Sequence, residues 1–569
     1  MDEDGGNSSR VVEGVSIRTA PVVSKGYVCD PFVSFVRAGV AGRKDLMPAG
    51  DNRLYHTRQP ISIHQIMDKE TEAAPTASTL QETKPAAASS DKKSFGRDVG
   101  KLVSGTVIAQ AVGICLSPII TRIFSPEIYG VASVFTSIIS IILIISCFRY
   151  ELAIMLPEDD RDAGAILLLC ILILTGISLL CIPFILLFGD TLAVLLGNAA
   201  VKDYLFLIPL AVFIDGLYLA FRYWNTRRKR FGTQAITQAL QSIGGSSLKL
   251  GLGVCGFVSP GALIISRIAG NGIGAVILMH QAVRADLALI KKSFSLKNIW
   301  KQAKRYKKFP LFDTWSNLIN TVSWQLPVLM LTGFFSSAVA GLYSLGFQML
   351  QLPMNFIGSS ISQVFYQRAN VEKHSGKLNL VVEDVASVLI TLSVLPFLVL
   401  GIVGGDLFSL VFGSEWYESG VYVQILCVWT MIWFVVSPLT LLFSTLELQK
   451  QGLVYNVFNL TTRFLSLVIG GLFGSIYLCL FLFMISGVLV YGITGCYLLR
   501  KSGCSLRRIV EMIKKPTLIS LMLIAVLVGI SLIDIPSILL CVLAVGCICT
   551  YGVYLLKKNR LVKEYLGIK

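Results

Sequence analysis

From about residue 99 the chain alternates long apolar runs with short polar connections. The apolar residues run on without the period-two alternation of a membrane barrel strand, so the pattern predicts helices. A helix of about 20 residues spans the ~30 Å hydrocarbon core of a bilayer. Fourteen runs qualify, at 99–120, 131–154, 164–188, 204–225, 233–256, 260–283, 311–333, 338–365, 379–403, 420–446, 453–474, 476–499, 517–533 and 537–556. The stretch Tyr306–Ala369 shows the unit from which the rest is built. Lys307 and Lys308 open it, two runs meet at Ser336–Ser337 and Gly341, and Arg368 closes it. It reads as a membrane hairpin with both feet on one basic side.

Two connections recur. RIFSPEIYGVAS at 122–133 returns as GFFSSAVAGLYS at 333–344, with Phe124, Ser125, Gly130 and Ser133 falling on Phe335, Ser336, Gly341 and Ser344 at an offset of 211. GDTLAVLLG at 189–197 returns as GDLFSLVFG at 405–413, with Gly189, Asp190 and Gly197 falling on Gly405, Asp406 and Gly413 at an offset of 216. The expectation is an all-α integral membrane protein of about 14 spans. Spans 1–6 (95–283) and 7–12 (311–499) form two six-helix lobes in parallel orientation around a central cavity. A basic linker at 284–310 joins the lobes and is predicted to include an interfacial helix, since Leu287, Ile290, Phe294, Ile299 and Trp300 interleave with lysines. Residues 500–569 add a basic loop, two extra spans and a tail.

Composition agrees. Of 569 residues 54% are hydrophobic and 15% charged, against about 25% charged in a soluble protein. Residues 1–94 are different material, with ten Lys/Arg against twelve Asp/Glu through Asp91. They read as a disordered cytoplasmic tail, or as sequence upstream of a true start near Met67. Thirteen cysteines scattered along apolar runs (Cys115, Cys170, Cys255, Cys427, Cys479), four histidines and no C-x-x-C point to packing rather than a metal or redox cofactor.

The charge is placed asymmetrically. With the amino end inside, the inner connections carry 29 Lys/Arg and the outer ones 2, Arg122 and Lys202. That puts both termini in the cytoplasm and accounts for the net charge of +16 without nucleic acid. RRKR at 227–230 then reads as an inner-surface anchor. The outer connections are short, which leaves no outer domain for a large catalytic centre and favours a transporter over an enzyme.

An ionisable group inside hydrocarbon costs roughly 2.5–3.5 kcal/mol, so each needs a reason. Lys249 and Arg267 fall at one depth on adjacent antiparallel spans, and Arg463 near the centre of span eleven. Arg149 and Arg222 lie at inner ends, within snorkelling reach. Asp215 and Asp313 suit either structural pairing or proton or sodium coupling. Asn317 and Asn320 share a helical face, and Gln325, Gln348 and Gln363 follow. These amides fit sugar hydroxyls and helix–helix contacts equally well. A cavity rich in cations and amides suits an anionic, hydroxyl-rich cargo.

RYELAIMLPEDDRDA (149–163), RYWNTRRKRF (222–231), YKKFPLF (306–312), AGLYSLGFQMLQLP (340–353) and ISQVFYQRA (361–369) together resemble the Wzx-type polysaccharide and O-antigen flippases. These belong to the multidrug/oligosaccharidyl-lipid/polysaccharide exporter superfamily, and the resemblance covers about 95–500. It implies alternating-access movement of undecaprenyl-diphosphate-linked oligosaccharide from the inner to the outer leaflet of the bacterial cytoplasmic membrane. It also implies work beside polysaccharide polymerase and assembly proteins. The chain departs from its relatives at Gln238, where many have Arg, and in its long amino tail. A multidrug cation exporter, a membrane glycan polymerase or ligase, and a non-transporting scaffold are the competing readings.

Overall fold

The computed structural model describes residues 105, 107, 109–531 and 536–558. The predicted tail at 1–94, with its alternative start at Met67, lies outside the described residues. Every regular element among the described residues is helical. The first half holds α1 (Ala109–Ile123), α2 (Pro126–Ser146), α3 (Asp160–Leu195), α4 (Ile208–Arg227), α5 (Phe231–Val254) and α6 (Pro260–Ser293). A short helix, α7 (Leu296–Arg305), follows. The second half holds α8 (Thr314–Phe334), α9 (Ser337–Leu350), α10 (Ser359–Ser375), α11 (Leu378–Phe412), α12 (Tyr417–Leu439), α13 (Gln449–Leu472) and α14 (Ile476–Lys501), and α15 (Leu506–Ser531) and α16 (Ser537–Lys558) follow.

Among the described residues nine helices are long and apolar enough to cross a membrane: α2, α3, α6 and α11 to α16. The other predicted runs also coincide with helices, but these are shorter or more polar. The polarity has a physical source. α4 carries Asp215 and Arg222, α5 carries Gln241, Ser242 and Lys249, and α8 carries Asn317, Asn320 and Gln325. A helix can hold such side chains at membrane depth only by turning them towards protein or water.

Three boundaries differ from the sequence expectation, each for a local reason. The run 338–365 is two helices, because Pro353 removes a backbone donor and a π-helical turn, Met354–Gly358, follows it. A second π-helical turn, Phe309–Asp313, carries Pro310 into α8. The run 131–154 leaves α2 at Ser146, where Phe148 and Arg149 take the left-handed conformation before a single turn, Tyr150–Ala153. The connections at 189–203 and 404–420 are largely helical. Gly189, Asp190, Gly405 and Asp406 lie inside α3 and α11, and the chain turns instead at Gly197 (φ 62°) and Gly413 (φ 113°), conformations that favour glycine.

In the first half α4 and α5 pack on α6, and α3 packs on α4 and α6. In the second half α11 packs on α12, α12 and α13 pack on α14, and α8 packs on α13. α15 and α16 lean on α11 through Leu395, Val399, Val403, Leu527, Leu540 and Ala544. α7 buries Ile299 and Gln302 towards α3, leaves Leu296 and Trp300 exposed, and receives the Tyr150 hydroxyl at the Ala303 carbonyl.

The halves meet where α2 crosses α9 and α8. The crossing is tight at Gly130 and Gly341. A methyl group built on Gly130 would overlap the Ser337 carbonyl, and one on Gly341 would overlap the Pro126 carbonyl. The 211-residue offset that pairs Gly130 with Gly341 also pairs Pro126 with Ser337. Each glycine therefore meets the counterpart of what its partner meets, the signature of a self-complementary twofold contact. The same reciprocity holds beside it: Gly197 lies on Gly333, and its counterpart Gly413 lies on Arg122, the counterpart of Gly333. Hydrogen bonds close this end of the bundle. The Thr121 hydroxyl donates to the Phe412 carbonyl at 3.0 Å, Arg122 donates to the Leu410 carbonyl at 3.1 Å, and the Trp416 indole donates to the Thr121 carbonyl at 2.9 Å.

Gly130→Ala and Gly341→Ala should each lower the unfolding midpoint of the purified protein by several degrees, an overpacking cost of about 1–3 kcal/mol. The double variant should cost less than the sum, because both act on one crossing. Gly251→Ala, where the added methyl meets nothing within 4 Å, should be neutral or slightly stabilising. A thermal-shift series in detergent reads all four proteins.

Candidate functional site

Between the halves lies a cavity of about 590 Å³ lined from α2, α5, α6, α8, α9 and α12, and a second of about 530 Å³ lies within the first half against α1, α4, α5 and α6. Lys249 and Arg267 line both, so the two spaces share a cationic edge. The expected meeting of these two residues is therefore realised: α5 packs on α6, where Gly245 and Gly270 allow the backbones to approach.

The two cations differ in their surroundings. Arg267 donates to the Asp215 carboxylate at 2.9 Å, and Asn271 donates to the other oxygen of that carboxylate at 2.6 Å. Asp215 is 4% exposed and Arg267 25%, so the carboxylate lies behind the guanidinium and fixes it. Gln241 and Asn271 are also bonded to each other. Lys249 makes no hydrogen bond or ion pair to a described residue, and its ammonium is left for whatever enters the cavity. Arg222 lines the second cavity, as do Gln238, Gln241 and Tyr218.

Gln348 and Gln325 line the larger cavity, and the Gln325 oxygen accepts from the Ser137 hydroxyl across the α2–α8 contact at 2.9 Å. Asn317 instead donates to the Asp313 carbonyl of its own helix at 2.9 Å, and Asn320 and Gln363 are exposed elsewhere on α8 and α10. Arg149 is drawn away from both cavities. Its guanidinium pairs with Asp313 at 3.0 Å and Glu151 at 3.5 Å. Asp313, like Asp215, is thus engaged by an arginine.

Arg463 is fully buried in the second half and lines neither cavity. Its guanidinium lies 4.4 Å from the Trp324 ring centroid, 5.3 Å from that of Trp429 and 5.6 Å from that of Phe483. Trp324 in turn packs against Phe347 and Trp433, and all three line the larger cavity. Sequence reasoning did not single out this aromatic wall, because tryptophans in apolar runs look like core or interface residues. The available signal was their spacing: Trp429 and Trp433 lie four apart on α12, opposite Trp324 on α8.

RRKR at 227–230 is less a free anchor than an internal knot. Arg227 and Arg228 pair with Asp160 at 2.9 and 2.5 Å, and Arg228 and Arg230 pair with Asp286 at 3.2 and 2.8 Å. The Trp224 indole also donates to Asp286. The motif ties the end of α4 to the start of α3 and to α6, which explains why a positive run follows a span closely here. Among the described residues no three His, Cys, Asp or Glu side chains are grouped as metal ligands.

The cavity thus offers one unpaired ammonium, one fixed guanidinium, several amides and a wall of rings. Cations with bidentate capacity suit a compact anion such as a diphosphate, and amides beside aromatic faces suit hydroxyl-rich rings with apolar faces.

The sequence profile of a family described as "Polysaccharide biosynthesis protein" matches residues 119–421. A stretch of 165 residues is 26% identical to the lipopolysaccharide biosynthesis protein WzxC of Escherichia coli (strain K12), taking in 29% of this chain and 34% of WzxC. The chain therefore spans about a third of the length of that curated relative. Among solved structures, the lipid II flippase MurJ in an inward closed conformation superposes with a TM-score of 0.59 at 12% identity, over 80% of this chain and 98% of MurJ. A multidrug resistance MATE family transporter of the MOP superfamily, in an inward-facing conformation, does so at 0.53 and 14% identity, over 71% and 96%. The structural likenesses establish the fold, that of all-α membrane transporters, and the profile covers more than half of the chain. The protein belongs to the family described as polysaccharide biosynthesis proteins.

Proposed function

We propose that this protein is a flippase for a glycan carried on a lipid diphosphate, undecaprenyl diphosphate in a bacterial cytoplasmic membrane. It moves the glycolipid from the inner to the outer leaflet for surface polysaccharide synthesis. The observation that carries the reading is the shared cationic edge of the two cavities, Lys249 and Arg267. An anion is the natural partner of an ammonium that no described residue neutralises. A cationic drug would meet the same ammonium as a repulsion, which counts against the multidrug alternative. The family of polysaccharide biosynthesis proteins and the flippase named among the structural relatives point the same way.

In this reading the chain crosses the membrane fourteen times with both termini in the cytoplasm, and α1–α6 and α8–α14 are the two lobes. The reciprocal contacts of Gly130 with Ser337 and of Gly341 with Pro126 support a twofold relation between the lobes. Those contacts lie at the predicted outer end, so the conformation described is closed outward. Alternating access then requires the Gly130–Gly341 crossing to part, with the Arg149–Asp313 pair already joining the two halves at the other end. Polymerase and assembly proteins would take the glycan on the far side. For Asp215 and Asp313 the ion pairs at 2.9 and 3.0 Å favour a structural role over proton or sodium coupling.

Translocation of the host's lipid-linked oligosaccharide in proteoliposomes tests the reading. The wild type should move it, and Lys249→Ala/Arg267→Ala at matched protein level should be at least tenfold slower. Full activity in the double variant would remove the cavity cations from the site while keeping the flippase. Failure of the wild type to move its native glycolipid would overturn the function. The structural role of Asp215 has a separate check. Asp215→Asn leaves Arg267 unpaired and should cost roughly 3–5 kcal/mol, read as a lower unfolding midpoint. Asp215→Asn/Arg267→Gln should recover part of that loss, and a midpoint unmoved by Asp215→Asn would point to coupling instead.

A further inference from the structure

Arg463 needs an explanation that the cavity cations do not supply. It is 0% exposed, and no carboxylate among the described residues pairs with it. Its hydrogen bonds, to the Ser323 carbonyl and hydroxyl and to the Tyr491 hydroxyl, are all long at 3.4 Å, and its Nε has no partner. Burying a guanidinium this way costs several kcal/mol that a leucine would not. What holds it is a sheath of rings, and desolvated cation–π contacts with tryptophan are the strongest of their kind. The closest ring is Trp324.

Trp324 is also the half-buried member of the sheath and the one through which the sheath reaches the cavity. Its ring lies 6.0 Å from Phe347 at 28° and 5.4 Å from Trp433 at 60°, so it is held on several sides. Gln325, Gln348 and Gln351 line the same wall. Trp324, Phe347 and Trp433 together make an aromatic lining bordered by amides, which matches a sugar ring with its apolar C–H face and polar rim. The two halves contribute unequally: α5 and α13 are both 24 residues long, yet the first brings its cation to the cavity and the second keeps its cation behind a ring.

We infer that the Trp324 wall is a second subsite of the cavity, taking the C–H face of a sugar ring of the glycan, with Arg463 as its positioning residue. This rests on the flippase reading: the diphosphate binds at Lys249 and Arg267, and the first sugars stack on Trp324. Arg463 touches no substrate. It holds the indole from within the second half.

The test is equilibrium binding of two probes to the full-length protein in nanodiscs: bare undecaprenyl diphosphate, and the same lipid carrying the host's oligosaccharide. Wild type should bind the glycolipid at least tenfold more tightly than the bare lipid. Trp324→Ala should lose most of that ratio, falling at least tenfold for the glycolipid and less than twofold for the bare lipid, while Trp324→Tyr should keep much of it. Arg463→Gln should behave like Trp324→Ala, and Arg463→Lys should restore part of the ratio, a rescue that a purely structural residue would not show in a ratio of two ligands. If Arg463→Gln does not fold, Arg463→Lys and the Trp324 pair still decide the matter. An unchanged ratio in Trp324→Ala, or equal losses for both probes, overturns the subsite. An intact ratio in Arg463→Gln overturns the positioning role. If the bare lipid fails to bind wild type, or binds Lys249→Ala/Arg267→Ala as well as wild type, the fault lies in the parent reading of the diphosphate site.

Discussion

A charged or strongly polar side chain survives at membrane depth only where protein or water surrounds it. That constraint arranges this molecule. The helices that turn polar residues inward, α4, α5, α8 and α9, line the two cavities, and α3, α11, α15 and α16, with their long apolar stretches, contribute none of the described lining. The cavities exist because Lys249, Arg267 and the amides cannot face lipid. Four carboxylates that do not line them are paired locally: Asp215 by Arg267, Asp313 by Arg149, and Asp160 and Asp286 by the RRKR knot.

The second dependence is on close backbone approach. The Gly130–Gly341 crossing brings α2 and α9 together where side chains would hold them apart, as small residues do in other membrane helix pairs. Close approach of this kind holds helices together through van der Waals packing of the backbones. The hydrogen bonds around it, from Thr121, Arg122 and Trp416, reach mainly backbone carbonyls and involve no buried ion pair. In the proposed cycle this interface opens by exchanging those hydrogen bonds for bonds to water. An ion-paired crossing would resist that step.

Much of this was legible in the sequence, and the reasons are particular. The order of the helices followed from run length, and the repeat from seven matched positions, among them the two glycines that later prove to cross. Lys249 and Arg267 were found because a cation in an apolar run is conspicuous. The runs ending at 188 and 403 were set about eight residues short, since Gly-Asp at 189–190 and 405–406 looked like the start of a connection while the helix continues to the turns at Gly197 and Gly413. The break of 338–365 at Pro353 was hidden by apolar flanks. Depth along a helix could be estimated, but direction could not. Arg463 and Lys249 look alike in sequence, and only packing shows that one is sheathed and the other free.

That difference bears on how a duplicated unit becomes a binding site. Two identical halves would present two cations to the cavity, or two aromatic walls, and either would suit a symmetric cargo. A lipid-linked glycan is not symmetric: its charge is confined to the diphosphate and its sugars are neutral or nearly so along their C–H faces. A cavity with a cationic wall from one half and an aromatic wall from the other matches that polarity end to end. Retaining Arg463 behind its rings keeps the second wall rigid without adding a competing anion site. In the proposed reading the same asymmetry sets orientation, because a glycolipid with its diphosphate at Lys249 places its sugars against Trp324 in one sense.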